Sequence, residues 1–231
     1  MSGRIGIVAA MKTEIAPLVR GWNRRTIEQN GKRILVFESE RAVAGIAGIG
    51  VEAAKSAAEV ILESYLCNYL VSAGLAGSIT ATAQVGEILE PELIFYSTTG
   101  TSFRAASGKG TLVTADQVLG PDEKQRLAGK YSADAVDMEA AAVAEVAAQA
   151  GLPFVAVKAI SDSLRFPMPD LSRFIDGGGS FAKGKFLFHT ALRPGSWATI
   201  AQLARNSSLA TRKLCTRLQH LIDNEELTRT R

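Results

Sequence analysis

The segment that most restricts the fold is 154–160, an apolar, β-branched run that follows Gly151 and Pro153. A run of this kind suits a strand buried on both faces, as in a parallel sheet covered by helices. An Ala-rich helix over 138–150, stopped by Gly151, is predicted just before it. The same order recurs upstream. A helix over 51–66, with Ala54, Ala57, Ala58, Ile61 and Leu62 on one side, precedes a buried strand over 69–73. At the N-terminus, 5–10 reads as a strand feeding a helix over 11–20, where Met11, Ile15, Leu18 and Val19 recur at helical spacing.

Further strands are expected over 33–37 and 42–46, and several short ones between Gly86 and Val113, separated by Gly, Pro and Ser/Thr clusters. A short helix over 121–129 and a last helix over 197–222 complete the pattern. Strands alternating with helices predict an α/β fold of three layers, a mixed and mostly parallel central sheet with helices on both faces.

The 231 residues are 47% hydrophobic and 21% charged, enough to bury a sizeable core, and no Pro/Ser-rich linker separates two cores. One domain over 1–231 is expected. A lid-like insertion at about 165–195 is marked by Pro167, Pro169, Pro194 and the Gly177-Gly178-Gly179 turn. A net charge of +3 is mildly basic, without the clustered Lys/Arg and interleaved aromatics of a nucleic-acid surface. Arg205, Arg212, Lys213 and Arg217 read instead as a solvated helix face. No nucleic-acid partner and no membrane span are expected. Cys67 and Cys215 form neither a disulfide framework nor a zinc pattern, which fits a reducing cytoplasm.

Gly48, Gly50 and Ala53 spell the dinucleotide-binding spacing. A nicotinamide site also needs an acid at the end of the next strand, and that strand ends Ser72-Ala73-Gly74. The glycines therefore read as a tight strand-to-helix turn near a ligand. Three acids stand at the edges of apolar elements, where an unpartnered buried charge is costly: Glu14, Glu139 and Asp162. Asp162 directly follows the buried strand, and ligands of open α/β sheets gather at the carboxyl ends of strands. Turn chemistry at Ser161-Asp162-Ser163, a helix-dipole role for Glu139 and a surface position for Glu14 are the structural alternatives. His189 and His220 are read as structural or exposed.

Together these segments resemble the methylthioadenosine and adenosylhomocysteine nucleosidases of the nucleoside phosphorylase superfamily. The resemblance is carried by 5–14 (IGIVAAMKTE), by Ala47-Gly48-Ile49-Gly50 with Ala53 and Ala54, and by Gly74-Leu75-Ala76-Gly77. Val136-Asp137-Met138-Glu139-Ala140 and 157–162 (VKAISD) carry it further. It implies cleavage of the N-glycosidic bond of a 5'-substituted adenine nucleoside, with Asp162 as general acid and Glu14 activating water. It implies a substrate site formed by Glu139, Met138, Lys158, Ala9, Gly48, Ile49, Gly74 and Leu75, with the base against Val118 and Leu119. It also implies a homodimer or larger homo-oligomer, and neither a metal nor an organic cofactor.

Ser72 stands where a phosphorylase of this superfamily would carry an arginine, which favours water over phosphate. A phosphorylase or an adenosylhopane-type nucleosidase is the alternative within enzymes; Lys158, which replaces an arginine, and Leu75, which replaces a small polar residue, keep a nucleoside-binding protein without catalysis as another. The segment from Phe166 to Pro194, with Phe174, Phe181, Phe186 and Phe188, together with Arg193-Pro194-Gly195 and the helix after it, resembles the hopanoid-associated branch, whose nucleoside bears a bulky hydrocarbon.

Overall fold

A computed structural model of the chain describes residues 3–29, 31–167 and 197–224. The chain opens with β1 (Arg4–Ala9), the one-turn helix α1 (Lys12–Ile15), β2 (Asn23–Gln29), β3 (Lys32–Glu38), β4 (Ala42–Ile46) and α2 (Val51–Ser64). The long strand β5 (Cys67–Ser78) leads to β6 (Ile88–Leu89), β7 (Leu93–Tyr96), β8 (Ser102–Arg104), β9 (Thr111–Thr114) and α3 (Pro121–Tyr131). Then come β10 (Ala135–Asp137), α4 (Ala140–Gln149), β11 (Phe154–Asp162) and the last described helix, α5 (Trp197–Asn224).

The described strands join in one mixed sheet ordered β2-β3-β4-β1-β5-β10-β9-β7-β8, with β11 on β5 and β6 on β11. Pairing is parallel for β4-β1, β1-β5 and β5-β11 and antiparallel for the β2-β3-β4 meander. Side chains alternate between two cores, as the twofold strand period requires. Val8, Leu70, Phe154 and Ala156 pack with α2 and α4, whereas Ile7, Val71, Val155 and Val157 pack beneath Ile15, Leu214 and Leu218 of α1 and α5. Helices therefore cover both faces. None of the described helices is long and apolar enough to cross a membrane.

Several expectations are corrected. The helix expected over 11–20 is regular only from Lys12 to Ile15, because Pro17 has no N–H to continue the ladder. β2 has no counterpart among the expected strands: its sequence NRRTIEQ is polar, and it survives as an edge strand paired with β3. The helix expected from Met138 begins at Ala140, with Glu139 as its N-cap, since the three residues before Met138 form β10. Arg205, Arg212 and Lys213 lie exposed on α5, while Arg217 makes a bidentate ion pair with Glu90 at 2.5 and 3.0 Å. Most of the expected lid, with Phe174, Phe181, Phe186, Phe188 and His189, lies outside the described residues.

The site follows from the unequal lengths of the central strands. β5 pairs with β1 as far as Ala73, with β11 from Leu70 to Gly77, and with β10 at Gly77 and Ser78. The carboxyl ends of β1, β10 and β11 thus meet around the second half of β5, where open α/β sheets hold ligands.

Candidate active site

A cavity of about 370 Å³ opens at this meeting point. Its wall is mainly apolar, from Met11, Ile49, Leu75, Val118, Leu119 and Met138, and Ile200, Leu203 and Ala204 of α5 close one side. Into it project Glu14, Glu139 and Asp162, joined by Lys124, and Asp137 lies at its floor. Pockets with an apolar lining and a few convergent polar groups are the usual form of small-molecule sites.

Glu14 is placed by its own short helix. Its Oε2 accepts the Met11 amide at 2.9 Å, and Oε1 accepts the Leu75 amide at 3.4 Å, so the carboxylate bridges the ends of β1 and β5. Burial raises its pKa above the ordinary carboxylate value; the Met11 amide, the charge of Lys158 and the Leu75 and Ala10 amides oppose that rise. Glu139 accepts the Gly50 amide at 2.9 Å. Gly50 has φ of +101°, a conformation that suits glycine and lets this turn aim its N–H at the acid. Burial, then the charge of Asp137, push Glu139 up to about 7 against the pull of Lys158. Two carboxyl groups with raised pKa values thus border one cavity, a pattern common at catalytic sites.

Asp162 has both oxygens engaged. Oδ1 accepts the Ser161 hydroxyl at 2.7 Å and Oδ2 contacts the Lys124 ammonium, with Lys124 and Asp162 each 3% exposed. Beneath the cavity Asp137 accepts Thr114 Oγ1 at 2.7 Å and the Ala140 amide at 2.9 Å, and pairs with Lys158. Lys158 also donates to Ser72 Oγ at 3.0 Å. Burial alone would lower the Lys158 pKa, but Asp137, Glu139 and Glu14 outweigh it and raise the value, so the lysine stays charged.

Of the expected site residues, Glu14, Ile49, Leu75, Val118, Leu119, Met138, Glu139 and Asp162 border the cavity. Ala9, Gly48, Gly74 and Lys158 lie outside that lining. Ala9 ends β1 with its side chain in the core. Gly48 donates its amide to the Ala10 carbonyl at 3.0 Å and so ties the glycine turn to β1. Gly74 lies where a Cβ would be 3.5 Å from Glu14 Oε1 and 3.7 Å from Lys158 Nζ, and Lys158 is sealed behind it. Sequence reasoning missed Asp137 and Lys124 as site residues. Asp137 was visible as the acid two positions before Glu139. Lys124 had no such signal, because a lysine on a polar helix reads as surface.

The phosphorylase superfamily pattern matches residues 98–175. A 5'-methylthioadenosine/S-adenosylhomocysteine nucleosidase of Actinobacillus succinogenes is 30% identical, over 69% of this chain and 86% of that protein. Among solved structures, a mutant nucleosidase of Helicobacter pylori with 5'-methylthioadenosine in its active site superposes with a TM-score of 0.67. That match has 17% identity and covers 96% of this chain and all of that one. The S-adenosylhomocysteine nucleosidase of Streptococcus pyogenes, in complex with 5-methylthiotubericidin, gives the same TM-score at 19% identity, covering 95% of this chain and 98% of that one.

Proposed function

Because this chain belongs to the phosphorylase superfamily, alongside the nucleosidases it matches, we propose that it hydrolyses the N-glycosidic bond of a 5'-substituted adenine nucleoside and releases adenine. The observation that carries the reading is the acidic cavity: Glu14, Glu139 and Asp162 border one space whose described lining contains no arginine. A purine leaves readily only when protonated, and the sugar left behind is an oxocarbenium-like cation. Carboxylates fixed beside that cation stabilise charge that exists only in the transition state.

In this reading the purine rests against Val118 and Leu119, and Asp162 gives the proton to its N7. Glu139 holds the ribose hydroxyls while Met138 packs on the sugar. Glu14, anchored by two backbone amides, orients the attacking water and takes its proton. Ser72, buried and bonded to Lys158, offers no phosphate clamp, and both ammonium groups near the cavity are engaged with carboxylates. Phosphate would meet repulsion at Glu14 and Glu139, so water is the nucleophile.

The apolar side formed by Ile200, Leu203 and Ala204 favours one further reading, a bulky hydrocarbon on the 5' carbon such as the hopanoid-associated branch handles. A cytoplasmic homodimer belongs to the same proposal, and the buried, unpaired Cys67 and Cys215 support a reducing compartment. The test is adenine release from methylthioadenosine, adenosylhomocysteine and adenosine, with and without phosphate. Release without phosphate is expected, and Asp162→Asn should abolish it. Release that requires phosphate would replace hydrolysis by phosphorolysis.

A further inference from the structure

We propose that Lys124 and Asp162 act as one acid, in which the proton given to the departing purine is stored on the Lys124 ammonium and passes through the Asp162 carboxyl. The proposal rests on the nucleosidase reading and makes Lys124 a positioning residue for proton transfer.

Asp162 accepts from Ser161 at one oxygen and from Lys124 at the other. A carboxylate so engaged has no proton to give, and the transferable proton of the pair resides on Nζ. Stability does not account for the arrangement, since a buried ion pair is often no better than apolar side chains of the same volume. The fold nevertheless makes room for it. A Cβ built on Gly77 would lie 2.8 Å from Lys124 Nζ and 3.0 Å from Asp162 Oδ2, although the Gly77 backbone conformation is one that any residue adopts. A side chain there would have to displace the end of Lys124 from Asp162.

α3 adds placement. It begins just after Val118 and Leu119, the proposed base contacts, and its first turn is fixed by Glu123, which accepts the Gly120 amide at 3.1 Å. Lys124 and the base contacts therefore sit on one anchored segment. Among the described residues, the other ionisable groups bordering the cavity are Glu14 from α1, Asp137 from β10 and Glu139 at the start of α4, all acids. Behind the wall, Lys158 of β11 is engaged with Asp137 and Ser72. The α5 residues at the cavity, Ile200, Leu203, Ala204 and Ser207, carry no charge. Lys124 is thus the one cation among the described residues that borders the cavity.

Atoms and charges balance in this step. The C1'–N9 bond breaks and its electron pair moves into the purine. Nζ passes its proton to Asp162 Oδ2, leaving Lys124 a neutral amine, and the carboxyl so formed passes that proton on to N7. Water bonds to C1' and yields its proton to Glu14, and exchange with solvent restores both groups.

The experiment measures kcat and KM against pH for wild type, Lys124→Met, Lys124→Arg and Asp162→Asn, with methylthioadenosine as substrate and thermal melting to check folding. Lys124→Met should lower kcat at pH 8 by about 100-fold or more with little change in KM, the size expected for loss of general acid catalysis. Lys124→Arg keeps the charge beside Asp162 but does not release a proton, so it should not restore kcat.

Wild-type kcat at pH 8 in Lys124→Met, or wild-type kcat in Lys124→Arg, would overturn the proposal. If Lys124→Met does not fold, the arginine variant decides alone. Either reversal with Asp162→Asn inactive leaves the nucleosidase reading standing; a wild-type protein that releases no adenine removes both.

Discussion

Lys158 Nζ stands 2.8 Å from Asp137 Oδ2, and neither side chain reaches solvent. The pair joins β11 to β10 across the floor of the cavity, just behind Glu14 and Glu139. Its cation is the charge that draws both of those carboxyls back towards ionisation. A lysine that does not touch the cavity thus favours the ionised form of two acids that do, against the larger effect of burial.

Breaking this pair from one side should be costly. Lys158→Met leaves Asp137 buried without its cation, and loss of one partner of such a pair destabilises by about 3–5 kcal/mol. Adding Asp137→Asn should recover part of that loss, since the stranded charge is gone. Urea denaturation of the two single variants and the double variant measures the coupling. A loss below about 1 kcal/mol in Lys158→Met, the value of a surface pair, would contradict the burial described.

Glu139 predicts opposite pH dependences for stability and activity. Its pKa is raised in the fold to about 7 from an ordinary value of 4.5, so the folded protein binds its proton more tightly than the unfolded chain does. The stabilising contribution is full below about pH 4.5 and is lost as pH rises to about 7. It amounts to no more than about 3 kcal/mol, since a pKa difference of one corresponds to about 1.36 kcal/mol. Glu139→Gln should remove this slope and be more stable than wild type at pH 8. Denaturation curves at pH 5 and pH 8 check the sign; an equal response of the two proteins would refute it. In the proposed reaction the ionised Glu139 holds the ribose hydroxyls, so wild-type activity should rise over the same interval.

The parts of this arrangement that were legible in the sequence share a physical cause. β11 and α2 were readable because a doubly buried strand and an Ala-rich helix each impose a strong apolar pattern on every turn or residue. Glu14, Glu139 and Asp162 stood out because a carboxylate at the edge of an apolar element has to be partnered or used. β2 was not legible, since an edge strand with exposed faces has no hydrophobic period to display. β10 is three residues long, too short for any period. Lys124 depends on α3 docking against Gly77 and Asp162, a tertiary fact with no local trace.

Thr114 is a second support of the floor. Wholly buried, it donates to Asp137 Oδ1 at 2.7 Å and accepts the Ala141 amide at 3.0 Å, tying β9, β10 and α4 together. Thr114→Val keeps the shape and removes both bonds, leaving a buried acceptor and a buried N–H unsatisfied. Each such group costs about 1–3 kcal/mol. The melting temperature should fall accordingly. A variant as stable as wild type would mean that water or a neighbour replaces the hydroxyl.

Gly77 and Gly74 separate space from backbone conformation as reasons for a glycine. Both lie in β5, and neither has a positive φ. A Cβ at Gly74 would meet Glu14 Oε1 at 3.5 Å, an ordinary contact, so Gly74→Ala should fold as well as wild type or better, because alanine restricts the unfolded chain. At Gly77 the Cβ would press on Lys124 Nζ at 2.8 Å, on Asp162 Oδ2 at 3.0 Å and on Lys124 Cε at 3.1 Å. The strand is held on both sides, by the Asp162–Gly77 and Val136–Gly77 pairings, so the lysine has to yield rather than the backbone. Gly77→Ala should cost about 1–3 kcal/mol, the usual penalty of overpacking, and should part Lys124 from Asp162. Activity should therefore fall more in Gly77→Ala than in Gly74→Ala, by about tenfold or more for each 1.4 kcal/mol of lost transition-state stabilisation. Parallel measurement of kcat/KM and melting temperature for the two alanine variants decides the matter. Equal activity in both would show that separation of the pair has no effect on turnover.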